Sequence, residues 1–92
     1  MPNGLSPKMS FITELSGKNC LVLGAGGTGR AVHNALLKFK ATSKIFDEKV
    51  TSDAEVVNEI PSGVNLVVVS PGWRLDHPVI VKLKSTGALI LS

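Results

Sequence analysis

The chain has a single cysteine, Cys20, among its 92 residues, and no tyrosine. One thiol excludes a disulfide framework and a cysteine metal cluster within the chain. Its place inside an apolar run marks it as a small buried hydrophobe rather than a reactive nucleophile. No apolar run approaches the ~18 residues of a membrane-spanning helix, so no insertion of that kind is expected. The opening residues show no apolar segment ahead of a small-residue cleavage site. These absences point to a reducing, cytoplasmic setting. Lys and Arg number 10 against 7 Asp and Glu, a net charge of +3. They are scattered rather than clustered, which suits a small anionic ligand and argues for no nucleic-acid partner. Internal repeats and low-complexity segments are also lacking.

What is present is 43% hydrophobic residues, arranged in short blocks of Leu, Ile and Val. That is enough for one globular domain near the lower size limit for folding without staples. Residues 1–15, "MPNGLSPKMSFITEL", show no sustained period and read as a tail or lead-in. Residues 16–92 are regular. "NCLVL" over 19–23 is a continuous apolar run, expected of a strand buried on both faces of a parallel sheet. Ala31, Val32, Ala35, Leu36 and Phe39 then recur at helical spacing, predicting a helix over about 28–40 with His33 on its exposed side. "KIF" over 44–46 is a second strand. Ser52 and Glu55 form a capping-box pattern for a short helix that Pro61 ends near Ile60. "NLVVVS" over 65–70 is the strongest strand signal. Pro78 suits the first turn of a helix running to about Thr86, Gly87 suits its C-terminal cap, and "ALILS" starts another strand. The expectation is an α/β fold: a small Rossmann-like open parallel sheet of about four strands with helices on both faces. A chain that stops on a strand further suggests the excised N-terminal domain of a longer protein.

The chemistry centres on "LVLGAGGTGR". Gly24-x-Gly26-x-x-Gly29 follows a strand and opens a helix, the spacing of a phosphate-binding turn. It aims free helix N–H groups and the positive end of the helix dipole at one point. Asp47 lies 18 residues after Gly29 at the end of the second strand, where a carboxylate can accept from a ribose or a neighbouring polar group. An ATP P-loop is excluded, because Arg30 and Ala31 stand where that motif needs Lys and Ser or Thr. Binding of a nicotinamide dinucleotide stays open, with Asp47 favouring NAD over NADP, and so does a turn kept for packing alone. In "VVVSPGWRLDHP", Pro71 ends a strand and Gly72 permits a sharp turn. That strand is expected beside the first, opposite the second, so that both turns face the switch point of the sheet. Trp73 reads either as a stacking platform or as a loop anchor. His77 suits a helix start, and neither histidine has a nucleophile to serve, so no catalytic residue is expected. No metal site is expected.

"LSGKNCLVLGAGGTGRAV", "IFDEKV" and "VVVSPGWRLDHPVIVKLKSTGALILS" together resemble the N-terminal domain of the Mur ligases, closest to the D-glutamate-adding branch. The Ser-Pro-Gly turn with its downstream His-Pro is the more specific part; GAGG-type turns also occur in NADP domains of the shikimate dehydrogenase kind. The resemblance implies a three-domain, ATP-dependent, amide-forming ligase of bacterial peptidoglycan synthesis. Its N-terminal domain holds the uridine diphosphate (UDP) part of UDP-MurNAc-L-Ala. ATP and Mg would belong to a central domain beyond this segment, the amino acid to a C-terminal one, and the segment alone would be inactive. Carried over by position, Gly27 and Thr28 would bind the diphosphate, Asp47, Glu48 and Lys49 would line the uridine side, and Gly72 would complete the pocket. Glu48 and Lys49 replace the more usual Thr and Arg, and Lys49 lacks arginine's planar fork. Only sixteen residues separate Lys49 from "LVVVS", fewer than the family's longer stretch, so the far edge of the sheet is expected to be trimmed.

Overall fold

The computed structural model describes residues 15–50 and 56–92. Five strands, β1 (Asn19–Leu23), β2 (Thr42–Phe46), β3 (Val56–Val57), β4 (Leu66–Val69) and β5 (Leu89–Leu91), form one sheet in the order β3-β2-β1-β4-β5. Every pairing is parallel. Helix α1 (Gly27–Lys38) leads from β1 to β2, and α2 (Pro78–Ser85) leads from β4 to β5.

β1 is the centre of the sheet, and its composition explains why. Leu21, Val22 and Leu23 have no accessible surface, which only a strand covered on both faces achieves. The two-residue period of a strand then divides the core. Cys20 and Val22 join Leu36 of α1 with Ala41, Ile45 and Leu66 on one face. Leu21 and Leu23 join Ile80 and Leu83 of α2 with Phe46 and Val67 on the other. Burial pushes the Cys20 thiol above its ordinary pKa, consistent with an inert packing residue. Leu15, the last residue of the stretch read as lead-in, is also a buried member of the α1-side cluster. Among the described residues no helix is long and apolar enough to cross a membrane.

α2 has only eight residues, too few for a helix that is stable by itself. It stands on Ile80 and Leu83, three apart and both buried, and each contributes about 1.5–3 kcal/mol when withdrawn from water. Pro78 opens it and Gly87 follows its end at φ +90, as read from the sequence.

Three expectations need correction. The buried face of α1 is Gly29, His33 and Leu36, with Ala31, Ala35 and Phe39 turned outward. The cause is Gly29: a Cβ there would collide with the Gly24 carbonyl oxygen, so the helix seats its glycine edge directly on the turn. This rotation carries His33 inside, where its Nδ1 lies 2.8 Å from Ser43 Oγ, a polar partner that a buried imidazole requires. Replacing Ser43 by Ala is expected to cost about 1 kcal/mol, a fall in Tm of roughly 4–8 °C for a domain this size, measurable by thermal denaturation. The helix predicted to reach Ile60 is absent at Val56–Val57, which pairs instead with Ile45 and Phe46 as a fifth strand. The capping pair Ser52 and Glu55 lies outside the described residues. The far edge of the sheet is therefore occupied, by a strand of only two residues.

Candidate functional site

The sheet order reverses at β1, which pairs with β2 on one side and β4 on the other. Loops leaving the carboxyl ends of these strands diverge there, the position at which open α/β sheets bind ligands. The β1–α1 turn starts with Gly24 at φ +109, a conformation that L side chains rarely adopt. The Gly24 N–H donates to the Phe46 carbonyl at 2.9 Å, tying the turn to the end of β2.

Asp47 strengthens that tie. Its Oδ2 accepts from the Ala25 N–H and its Oδ1 from the Lys49 N–H, both at 2.9 Å. The Ala25 bond and then the Lys49 bond hold this carboxyl below its ordinary pKa, aided by the Lys49 charge and opposed by partial burial. Asp47 is thus a brace between the glycine turn and the β2 loop, and each of its oxygens already serves a backbone donor. The neighbouring polar partner anticipated for it is the backbone itself.

Beyond the brace, Gly26, Gly27 and Thr28 are exposed at the N-terminus of α1. The helix carries no side-chain cap and no acidic residue in its first turn, so its first N–H groups and its positive dipole end remain available to an anion. A Cβ at Gly26 or Gly27 would meet nothing within 4 Å. Arg30 folds back, its Nε donating to the Ala25 carbonyl at 2.9 Å.

The opposite wall is the loop after β4. Ser70 Oγ is buried without a hydrogen-bond partner, 3.0 Å from the Cβ positions of both Gly24 and Gly29. Trp73 Nε1 approaches the Gly24 position equally closely. The Trp73 ring meets Phe46 edge-on at 6.2 Å and stands 4.8 Å from the His77 ring. Trp73 therefore anchors its loop over the glycine turn while presenting the rest of its half-buried ring to the space between the loops. Arg74 extends from the same loop, its fork donating to both oxygens of Asp76 at 2.9 and 3.0 Å.

Between these walls is an open cleft of about 380 Å³. Asp47, Glu48, Lys49 and Gly72 line it together, along with Trp73, Arg74 and His77. Thr28 lines an adjacent recess with Ser70, Pro71 and Leu75 rather than the cleft itself. Gly27 lines neither and sits at the tip of α1, while Gly24 and Gly29 lie beneath as packing residues. Arg74 joins the cleft without a motif of its own; its signal in the sequence is a cation two residues past the Ser-Pro-Gly turn.

The chain is similar to UDP-N-acetylmuramoylalanine–D-glutamate ligases. It is 34% identical to the enzyme of Thermobifida fusca over 85% of this chain, 33% identical to that of Blochmanniella floridana over 84%, and 30% identical to that of Clostridioides difficile over 85%. This is a Mur-ligase-like segment. It spans about one fifth of the length of those relatives, covering 20%, 20% and 21% of them respectively. No protein-family profile matches the chain, and no solved structure does. The Mur-ligase-like segment offers no counterpart to a P-loop lysine at its glycine turn, and the Arg30 side chain that follows Gly29 is bonded back to Ala25. Among the described residues no group of three or more His, Cys, Asp or Glu side chains is placed to hold a metal ion.

Proposed function

We propose that this segment is the substrate-holding domain of a UDP-N-acetylmuramoylalanine–D-glutamate ligase, grasping the UDP part of UDP-MurNAc-L-Ala. The observation that carries the reading is the cleft between the 47–49 and 72–77 loops beside an uncapped helix N-terminus. That pairing offers a place for a base and ribose next to one for a diphosphate. The likeness to ligases of that name supports it. ATP and Mg do not fit the residues present, since the turn lacks both the lysine and the hydroxyl that phosphate and magnesium demand. They belong to the remainder of a longer parent enzyme, where D-glutamate would be joined in ATP-dependent peptidoglycan synthesis in the cytoplasm. The segment alone binds and orients, and is inactive in ligation.

The competing reading, a nicotinamide-dinucleotide domain, relies on Asp47 for the ribose, and Asp47 already accepts two backbone N–H groups. Titrating the 92-residue chain with UDP-MurNAc-L-Ala separates the two. We expect amide chemical-shift changes at Gly27, Thr28, Lys49 and Gly72 at millimolar ligand, and none of comparable size with NAD or NADP. Stronger binding of a nicotinamide cofactor would overturn the proposal.

A further inference from the structure

His77 carries a chemical instruction that its role as a helix start does not exhaust. Its Nδ1 accepts the Val79 N–H at 3.1 Å and so caps α2. A nitrogen that accepts is unprotonated, so the proton of the neutral imidazole resides on Nε2. Helix capping thereby selects one tautomer. Trp73 covers one side of the ring at 4.8 Å, and His77 is also a wall of the cleft. No hydrogen bond among the described residues is recorded at Nε2 of this cleft-lining ring.

The other polar side chains lining the cleft are charged: Asp47, Glu48, Lys49 and Arg74. The Arg74 fork is paired to Asp76, and the Asp47 carboxylate to Ala25 and Lys49. Among these charged groups the His77 Nε2–H is a neutral donor, held in orientation by the cap on Nδ1 and set beside an aromatic surface. This combination fits a planar ring bearing a carbonyl acceptor better than it fits a phosphate, for which the exposed tip of α1 is the better partner.

We propose that His77 is a specificity-determining residue, donating from Nε2 to a ring carbonyl of the bound base while Trp73 offers the ring a stacking face. The inference rests on the reading of the cleft as a UDP site and adds the group that selects the base. A donor at this position favours uracil, whose C4 carries an acceptor oxygen, over cytosine, whose C4 carries an amino donor. A cytosine amino group facing Nε2–H would leave two donors opposed and unpaired.

The test uses His77→Asn, because an Asn oxygen caps a helix well and keeps the first turn of α2 supplied with an acceptor. The chain is titrated with UDP and with CDP, followed by chemical shifts, and its Tm is recorded. Wild type should prefer UDP over CDP. His77→Asn should bind UDP roughly fivefold more weakly, with the UDP-to-CDP ratio falling toward one and the Tm little changed. Loss of stacking alone would weaken both nucleotides together and leave the ratio intact, which would overturn the proposal. So would unchanged UDP affinity in the variant. An imidazole 15N spectrum of wild type should show Nε2 protonated and moving on addition of UDP; protonation at Nδ1 instead would contradict it. If wild type binds neither nucleotide while folded, the UDP reading itself fails and this inference falls with it.

Discussion

Gly29→Ala is expected to destabilise the chain by about 3 kcal/mol or more, lowering Tm by roughly 12–24 °C, as read by thermal denaturation. The added methyl would run into the Gly24 carbonyl oxygen and crowd Ser70 Oγ. The Gly24 oxygen is the decisive obstacle, because it is backbone in a turn fixed by the bond from Gly24 N–H to Phe46. Relief must come from lifting α1 off the sheet, which also pulls Val32, His33 and Leu36 away from the core. Gly27→Ala is the matched control. A Cβ there meets nothing within 4 Å, and exchanging glycine for alanine inside a helix gains roughly 0.5–1 kcal/mol. Two glycines two residues apart in one turn should therefore give opposite effects. A tolerated Gly29→Ala would show that the helix does not depend on this close seat.

Asp47→Ala is expected to cost about 2–3 kcal/mol at neutral pH, since a carboxylate accepting two backbone N–H groups is removed. Asp47→Asn should cost less, because one acceptor oxygen survives. The effect has a defined pH dependence. The folded-state pKa of Asp47 is lowered, so its contribution is fully present above the unfolded value and is lost as pH falls through the folded one. Denaturant titrations from pH 7 into acid should find the gap between wild type and Asp47→Ala narrowing once pH falls below the ordinary carboxylate range. A constant gap across that range would mean that the charge on Asp47 is immaterial. Because the same carboxylate spans the glycine turn and the β2 loop, the substitution should also loosen the cleft, and with it the proposed hold on UDP.

Much of this architecture is legible in the sequence because the relevant signals are local. An unbroken Leu-Val-Leu run has one stable environment, the middle of a parallel sheet. Pro78 and Gly87 mark the two ends of α2 through backbone preferences that need no tertiary partner. The misread features depend on contacts between distant residues. The phase of α1 is ambiguous in sequence because Ala31 and Ala35 precede Val32 and Leu36 at the same spacing, and the packing of Gly29 on Gly24 decides it. Burial of His33 follows from that rotation and from Ser43 on the next strand. Val56–Val57 is too short to carry a period, and its strand character comes from pairing with Ile45 and Phe46. At the cleft, Asp47, Glu48, Lys49 and Gly72 stand at positions to which the family resemblance points. The commitment of both Asp47 oxygens was not visible, because two backbone donors, one of them 22 residues away, supply it.

The all-parallel sheet has a kinetic consequence. Among the described residues it contains no hairpin, and Cys20 alone must find Ser43 on one side and Leu66 on the other. Each such pairing closes a long loop before any ladder bond forms, so the domain should fold slowly for its length. The cleft walls belong to opposite sides of β1 and hold together only when both pairings are in register. Nothing resembling the site exists in a half-formed chain, and a folding intermediate that lacks either neighbour of β1 would be blind to ligand. Recovery of binding during refolding should therefore track the last sheet pairing rather than the appearance of helix.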